Sequence, residues 1–383
     1  MFCRKALGLG LFALMAAVLA AHELPREVLV HPRPGDVLGS RAEWALREAG
    51  AKGYKSGFWV GYDIRRLMGE HSFIGSWNDD HGSAGPTLEE ILTGRKRPES
   101  LVPRAERLRR TAKEVLDDLE NDWKPEKKVW KSVAILLRYG VGTWSQAGPD
   151  KVEMSNFELN FDFQGLPLLW LGDASDDQSL TLLRGLYAGA KREETKKHVL
   201  AAVGVHNTPA LVIPILESVL ASRDADELRK DAAFWIGQQD DAAALKVLRQ
   251  AARTDRSCEV QKGAVFAISQ VELEAAVDEL IDLARTAENE NIRHEAVFWL
   301  GQRASKKAGA ALIDFATKDG DSRVQEQAVF ALSQLPENQG VEPLIKIART
   351  HPNPHVRKKA VFWLGECHDP RALEALIAIV KGK

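Results

Sequence analysis

Cysteine is almost absent from this chain. Three occur in 383 residues, and since Cys3 sits in the leading segment, only Cys258 and Cys367 lie beyond it. Two distant cysteines exclude a disulfide framework and give no zinc-binding spacing. A basic excess is also missing: 52 Lys and Arg against 54 Asp and Glu leave a net charge of −2 at pH 7. Gripping a phosphate backbone is therefore not its main work, and no nucleic acid is expected as partner. The 29 glycines and 16 prolines follow no three-residue period, which excludes a collagen-like chain. There is no P-loop, no Rossmann glycine pattern, no GxSxG elbow and no HExxH motif, so no cofactor, no metal and no catalytic residue is expected. His71, Asp79, Asp80 and His81 form the one His/carboxylate cluster worth weighing, and they read as a polar loop because their spacing follows no zinc motif. At 45% hydrophobic and 28% charged, the chain is nevertheless a folding one, too long for a single core.

The N-terminus has the grammar of export. Arg4 and Lys5 precede an apolar run from Ala6 to Ala21, and Val18 and Ala20 suit the small-residue positions of a cleavage site. The run falls short of the roughly 20 residues that span a bilayer comfortably. Residues 1–20 are thus expected to be a signal peptide, with membrane contact only if it stays uncleaved. The mature chain is expected to be exported: periplasmic, in the cell envelope, or secreted.

What the chain has in abundance is self-similarity. The segments Ala232–Gly237 (AAFWIG), Ala264–Ser269 (AVFAIS), Ala296–Gly301 (AVFWLG), Ala328–Ser333 (AVFALS) and Ala360–Gly365 (AVFWLG) start 32 residues apart each time. Fainter copies end at Gly204 (VLAAVG) and Gly172 (LPLLWLG). Ile292, Ala296, Val297, Trp299 and Leu300 carry a helical period, and a second helix follows with Leu280, Ile281, Leu283 and Ala284 in one unit and Leu344, Ile345, Ile347 and Ala348 in another. Ser257, Asn289, Asp321 and Asn353 stand where first helices should begin. Two short helices cannot bury their apolar faces alone, so the units must stack. The fold class is all-α: an α-solenoid of about seven two-helix units over residues 165–383. The pattern resembles the HEAT-repeat family, and most closely the short HEAT-like repeats of the phycobilisome-lyase type.

Within that period a longer one of 64 residues runs. Trp235, Ala267, Trp299, Ala331 and Trp363 alternate large and small; Gly237, Ser269, Gly301, Ser333 and Gly365 alternate two residues later; Arg229, Gln261, Arg293, Gln325 and Arg357 alternate near the helix start. Large residues meeting small ones across each seam would account for the first row, duplication of a two-unit block for all three, and the Arg/Gln row reads as solvated or loop-bonding and not as a binding site. Phenylalanine does not alternate: Phe234, Phe266, Phe298, Phe330 and Phe362 fall on the polar side of their helices. Such a row is either wedged between units, the reading preferred here, or exposed as an aromatic partner surface.

Residues 21–164 show no clear repeat. They read as a Trp/Gly-rich, mostly helical region, with helices at Arg41–Ala51, Leu101–Leu119 and Lys128–Tyr139 and a β-strand or hairpin insertion near 152–163. At the other end, Ala378 replaces the charged residues Asp282, Asp314 and Lys346 of earlier units, and Val380 replaces Ala284, Ala316 and Ala348. The last unit is more apolar than those before it, the reverse of a cap, so Ala378 and Val380 join the phenylalanines as candidate partner surface, with self-association through this repeat expected. The function expected is a non-catalytic protein-binding or scaffolding module. The resemblance would alternatively imply a chromophore-handling enzyme of phycobilin-lyase type, and the aromatic N-terminal region a small-ligand or carbohydrate site.

Overall fold

The computed structural model describes residues 23–33, 35–70, 72–75, 86–95, 127–140, 148–303 and 305–381. The signal segment, the His71–His81 cluster and the helix expected at Leu101–Leu119 lie outside the described residues. Two compact units divide at Val212 and Ile213.

The first unit is built on a five-stranded sheet, β1 (Val28–Val30), β2 (Phe58–Gly69), β3 (Lys128–Tyr139), β4 (Lys151–Asn156) and β5 (Leu168–Asp173), in the order β1-β5-β2-β3-β4. β5 runs parallel to both β1 and β2, while β3 is antiparallel to β2 and β4. Helices α1 (Leu38–Lys52), α2 (Leu88–Thr93), α3 (Asp176–Gly189) and α4 (Glu193–Gly204) complete it. Three expectations are corrected here. Lys128–Tyr139 is a strand and not a helix, because Val133 to Leu137 are buried on both faces of an interior strand, where an apolar run shows no alternation. The strand near 152–163 is an edge of a full sheet and not an isolated insertion, so the described part of residues 21–164 is a sheet with helices on it. Finally, the faint copy ending at Gly172 is strand β5. Its LLWLG run matches a first helix in composition, and short buried apolar runs look alike in either conformation.

One side of the sheet packs Trp59, Leu136, Phe161, Phe163, Leu168 and Trp170 into a cluster with Leu88 of α2. Gly61 is required there: a Cβ would lie 2.8 Å from both the Leu136 side chain and the Trp170 ring. Of the aromatic residues Phe58, Trp59, Tyr62, Phe73 and Trp77 that make this stretch a candidate stacking site, Trp59 is buried in this cluster and Phe58 and Tyr62 are buried elsewhere in the unit, while Phe73 is 45% exposed with the Lys131 ammonium 4.0 Å from its ring centroid. Trp77 lies outside the described residues.

The second unit, with α5 (Pro209–Leu220) reaching into it, consists of paired helices. These are α6 (Asp226–Gly237) with α7 (Ala242–Thr254), α8 (Cys258–Gln270) with α9 (Ala275–Thr286), α10 (Glu290–Gly301) with α11 (Lys306–Lys318), α12 (Ser322–Ser333) with α13 (Val341–Thr350), and α14 (Pro354–Gly365) with α15 (Pro370–Val380). The expected solenoid is there, with its core in the invariant apolar positions: Ala232, Ile236, Ala264, Ile268, Ala296, Leu300, Ala328, Leu332, Ala360 and Leu364 are all buried. Asn289, Asp321 and Asn353 each accept a hydrogen bond from a backbone N–H of their own first turn, as N-caps should. The same row stitches units together, since the Asn289 amide donates to Gln261 at 3.2 Å and the Asn353 amide to Ser322 at 2.9 Å.

The sheet unit also carries buried titrating groups. Tyr62 of β2, Ser179 of α3 and His206 form a sealed chain, with Oη–Oγ 3.0 Å and Oγ–Nε2 2.9 Å, while His206 Nδ1 lies 3.1 Å from the Val203 carbonyl. Burial holds the imidazole below its ordinary pKa, and burial pushes the Asp63 carboxyl up to about 6, against a hydrogen bond from Ser132 and with help from the Asp173 charge. The signs oppose. Asp63 binds its proton more tightly folded than unfolded, so its ionisation costs stability above pH 6, a cost that vanishes as pH falls below the unfolded value. His206 binds its proton less tightly folded, so its contribution is lost as pH falls below about 6.5. Asp63→Asn is expected to raise stability at pH 8 by about 1–2 kcal/mol, below the ~3 that two pKa units would give a fully dry group. Urea titrations at pH 8 and 4.5 check this: the gain should shrink at the lower pH, leaving the variant to weaken steadily on acidification.

Candidate functional site

The phenylalanine row is a wedge. Phe234 and Phe266 stack with centroids 6.2 Å apart and planes at 11°, and Phe298 and Phe330 repeat this at 6.2 Å and 6°. At the alternate seams a tryptophan fills the gap: Phe266 meets Trp299 at 4.7 Å and Phe330 meets Trp363 at 4.9 Å. These four phenylalanines are half-buried, not an exposed ridge.

The same geometry explains the 64-residue period. Where the phenylalanines stack, the helices approach so closely that a Cβ on Gly237 would lie 2.6 Å from the Ala267 carbonyl oxygen, and one on Gly301 2.6 Å from the Ala331 Cβ. At these seams small meets small. Large therefore does not oppose small as the sequence suggested; tryptophan instead packs backwards, against the phenylalanine of the preceding unit. Of the two readings of the Arg/Gln row, solvated or loop-bonding, the structure shows the second. Gln261 and Gln325 donate to the carbonyls of Asp255 and Asp319 at 3.0 and 2.7 Å, and Arg357 donates to that of His351 at 2.6 Å.

The row changes character at its last member. Phe362 is 54% exposed, and around Gly365 a Cβ would meet nothing within 4 Å. On α15, Leu373 is 61%, Ile377 45% and Val380 87% exposed. Position by position these residues match ones that are covered further in: Val341 precedes Leu373 by one unit at 2%, and Ala348 precedes Val380 at 6%. Ala378 is half-buried at the rim. Its predecessors Asp282 and Asp314 take part in ion pairs between units, with Arg253 at 2.7 Å and Arg285 at 3.4 Å, so the substitution removes a charge from this end as well. Phe362, Ala378 and Val380 were named from the sequence; Leu373 and Ile377 were not, because leucine and isoleucine are ordinary on a second helix and Val341 and Ile345 one unit earlier are buried and half-buried. Among the described residues no three His, Cys, Asp or Glu side chains are grouped to hold a metal, and no helix is long and apolar enough to cross a membrane.

Residues 213–297 and 277–344 match the family model of HEAT repeats, and residues 356–382 match that of the PBS lyase HEAT-like repeat. The array is made of HEAT repeats. Solved structures with similar helical arrays include human deoxyhypusine hydroxylase, at 23% identity over 52% of this chain and 81% of that one, with a TM-score of 0.25. The complex of CpcE and CpcF of phycocyanin lyase from Nostoc sp. is another, at 18% identity over 53% and 80%, with a TM-score of 0.31. Comparison with curated proteins gave no match. The sheet unit precedes the HEAT array in the sequence, and Phe362, Leu373, Ile377 and Val380 are exposed large hydrophobic residues on α14 and α15.

Proposed function

We propose that this is an exported protein-binding module, a HEAT solenoid that engages a protein partner without catalysis. One observation carries the reading: Phe362, Leu373, Ile377 and Val380 are exposed together on the neighbouring helices α14 and α15 of the array. Apolar surface gathered on one face marks a site of protein contact. Export is supported by the leading sequence, with Arg4 and Lys5 ahead of the apolar run. Affinity capture from the cell envelope tests both parts. Protein should co-purify with the wild-type chain and be lost from Ile377→Glu/Val380→Glu, and mass spectrometry of the bait should find its first residue near Ala21. Equal recovery by both baits removes the terminal face from the function, and a bait beginning at Met1 removes export.

A further inference from the structure

We infer that the link between α4 and α5, residues 205–208, is an acid-released latch on β2, with His206 as its trigger. Three contacts hold the link. The Arg66 guanidinium donates to the Val205 carbonyl, and the Asn207 Oδ1 accepts from the Leu67 backbone N–H at 2.8 Å. Between them, His206 ends the buried chain that begins at Tyr62. Tyr62, Arg66 and Leu67 all belong to β2, so strand and link are joined along one edge of contact.

The chain is complete in one protonation state. Nδ1 of His206 lies 3.1 Å from the Val203 carbonyl, which assigns the ring proton to it, and Nε2 accepts from the Ser179 hydroxyl, which accepts in turn from Tyr62. Each of the donors then has an acceptor. A proton on Nε2 turns the last acceptor into a donor. Ser179 must reverse its bond or receive from both sides, and either way one hydroxyl proton is left without an acceptor. Among the described residues the Tyr62 and Ser179 hydroxyls have no further partner, and all three side chains are buried. The new charge is poorly placed as well. From β2 the Arg66 guanidinium faces the imidazole with like sign, from α3 the Asp176 carboxylate faces it with opposite sign, and α4 contributes the Ala202 and Val203 carbonyls. Burial outweighs the help from Asp176 and holds the ring below its ordinary pKa. Opening the link resolves the conflict, because the imidazolium and the hydroxyls then meet water. Asn207 is already exposed and Thr208 half-buried, so this part of the link has little packing to lose. A link that binds its proton more tightly open than closed opens up to about tenfold more for each pH unit below ~6.5.

Amide hydrogen exchange of the full chain at pH 6 and pH 5, corrected for intrinsic rates, is the test. Protection of the Leu67, Val205 and His206 amides is expected to fall several-fold, and to be insensitive to low urea, as a local opening is. His206→Gln cannot take up the proton, so its protection should stay level across the same range. Unchanged protection in the wild type overturns the latch. So does a fall that shares the urea dependence of Leu136 and Leu137 on β3, which would make it global unfolding. An equal fall in His206→Gln removes His206 as the trigger. Should that variant fail to fold, the wild type still decides: if the His206 ring titrates by NMR while the Leu67 amide keeps its protection, the imidazole is protonated in place and nothing is released.

Discussion

Gly301→Ala is expected to destabilise the solenoid by about 2–3 kcal/mol, while Gly365→Ala at the equivalent position leaves it unchanged or stabilises it slightly. In a helix isolated from its neighbours the two changes would be alike, each gaining up to about 1 kcal/mol from the higher helix propensity of alanine. The neighbours make the difference. A Cβ on Gly301 would lie 2.6 Å from the Ala331 Cβ and 3.0 Å from its Cα, and those atoms belong to the α12 backbone and its first side-chain carbon, which have no rotamer to yield. The seam must open, and the Phe298–Phe330 stack opens with it. Overfilling a packed interior by a single methyl costs about 1–3 kcal/mol, and here no flexible atom absorbs it. Gly237→Ala should behave like Gly301→Ala, since its Cβ would meet the Ala267 carbonyl oxygen at 2.6 Å. Urea unfolding of the three variants against the wild type decides the matter. Equal midpoints for Gly301→Ala and Gly365→Ala would mean that the 64-residue alternation records ancestry and has no packing role.

The solenoid was legible because its signal is repeated: five copies of one hexamer at a fixed spacing leave little freedom in reading where helices begin and which residues face inward. The sheet offered no second copy to compare. β3 is an interior strand covered on both faces, so Val133 to Leu137 show neither the period of two nor that of 3.6, and composition alone favoured a helix. Its partner β2 pairs with it over twelve residues across a long stretch of sequence, a contact that no local pattern announces.

The candidate site was half legible for a related reason. Val380 stood out because alanine occupied that position three times before it. Leu373 and Ile377 did not, because leucine and isoleucine are ordinary on a second helix, and whether they are core or surface depends on what lies beyond them in space. Tyr62, Ser179 and His206 come together from a strand, a helix and a loop, and each is unremarkable in its own neighbourhood of the sequence.

Arg229→Ala is expected to be the most damaging change in the alternating polar row, at about 3–5 kcal/mol. Its guanidinium is 1% exposed, paired with the Asp255 carboxylate, which is itself only 8% exposed, and with Asp226 at 2.6 Å. Removing one member of a buried pair leaves the other charged and without compensation, which costs more than the pair itself contributes. Asp255 keeps one bond, from the Ser257 backbone N–H at 2.7 Å, too little to offset a bare carboxylate in that position. Arg293 provides the contrast two units on. Its bond to Asp321 is 3.1 Å and both side chains are 19% exposed, so water screens what is left behind and Arg293→Ala should cost about 1–2 kcal/mol. Arg229→Gln should recover part of the loss, because Gln261 and Gln325 hold the equivalent loop carbonyls without a charge. The decisive control is the double variant Arg229→Ala/Asp255→Ala: taking away the stranded carboxylate should return much of the stability lost in Arg229→Ala. If the double variant is weaker than the single by the full cost of Asp255→Ala alone, the two residues do not interact, and the row serves only to tie loops.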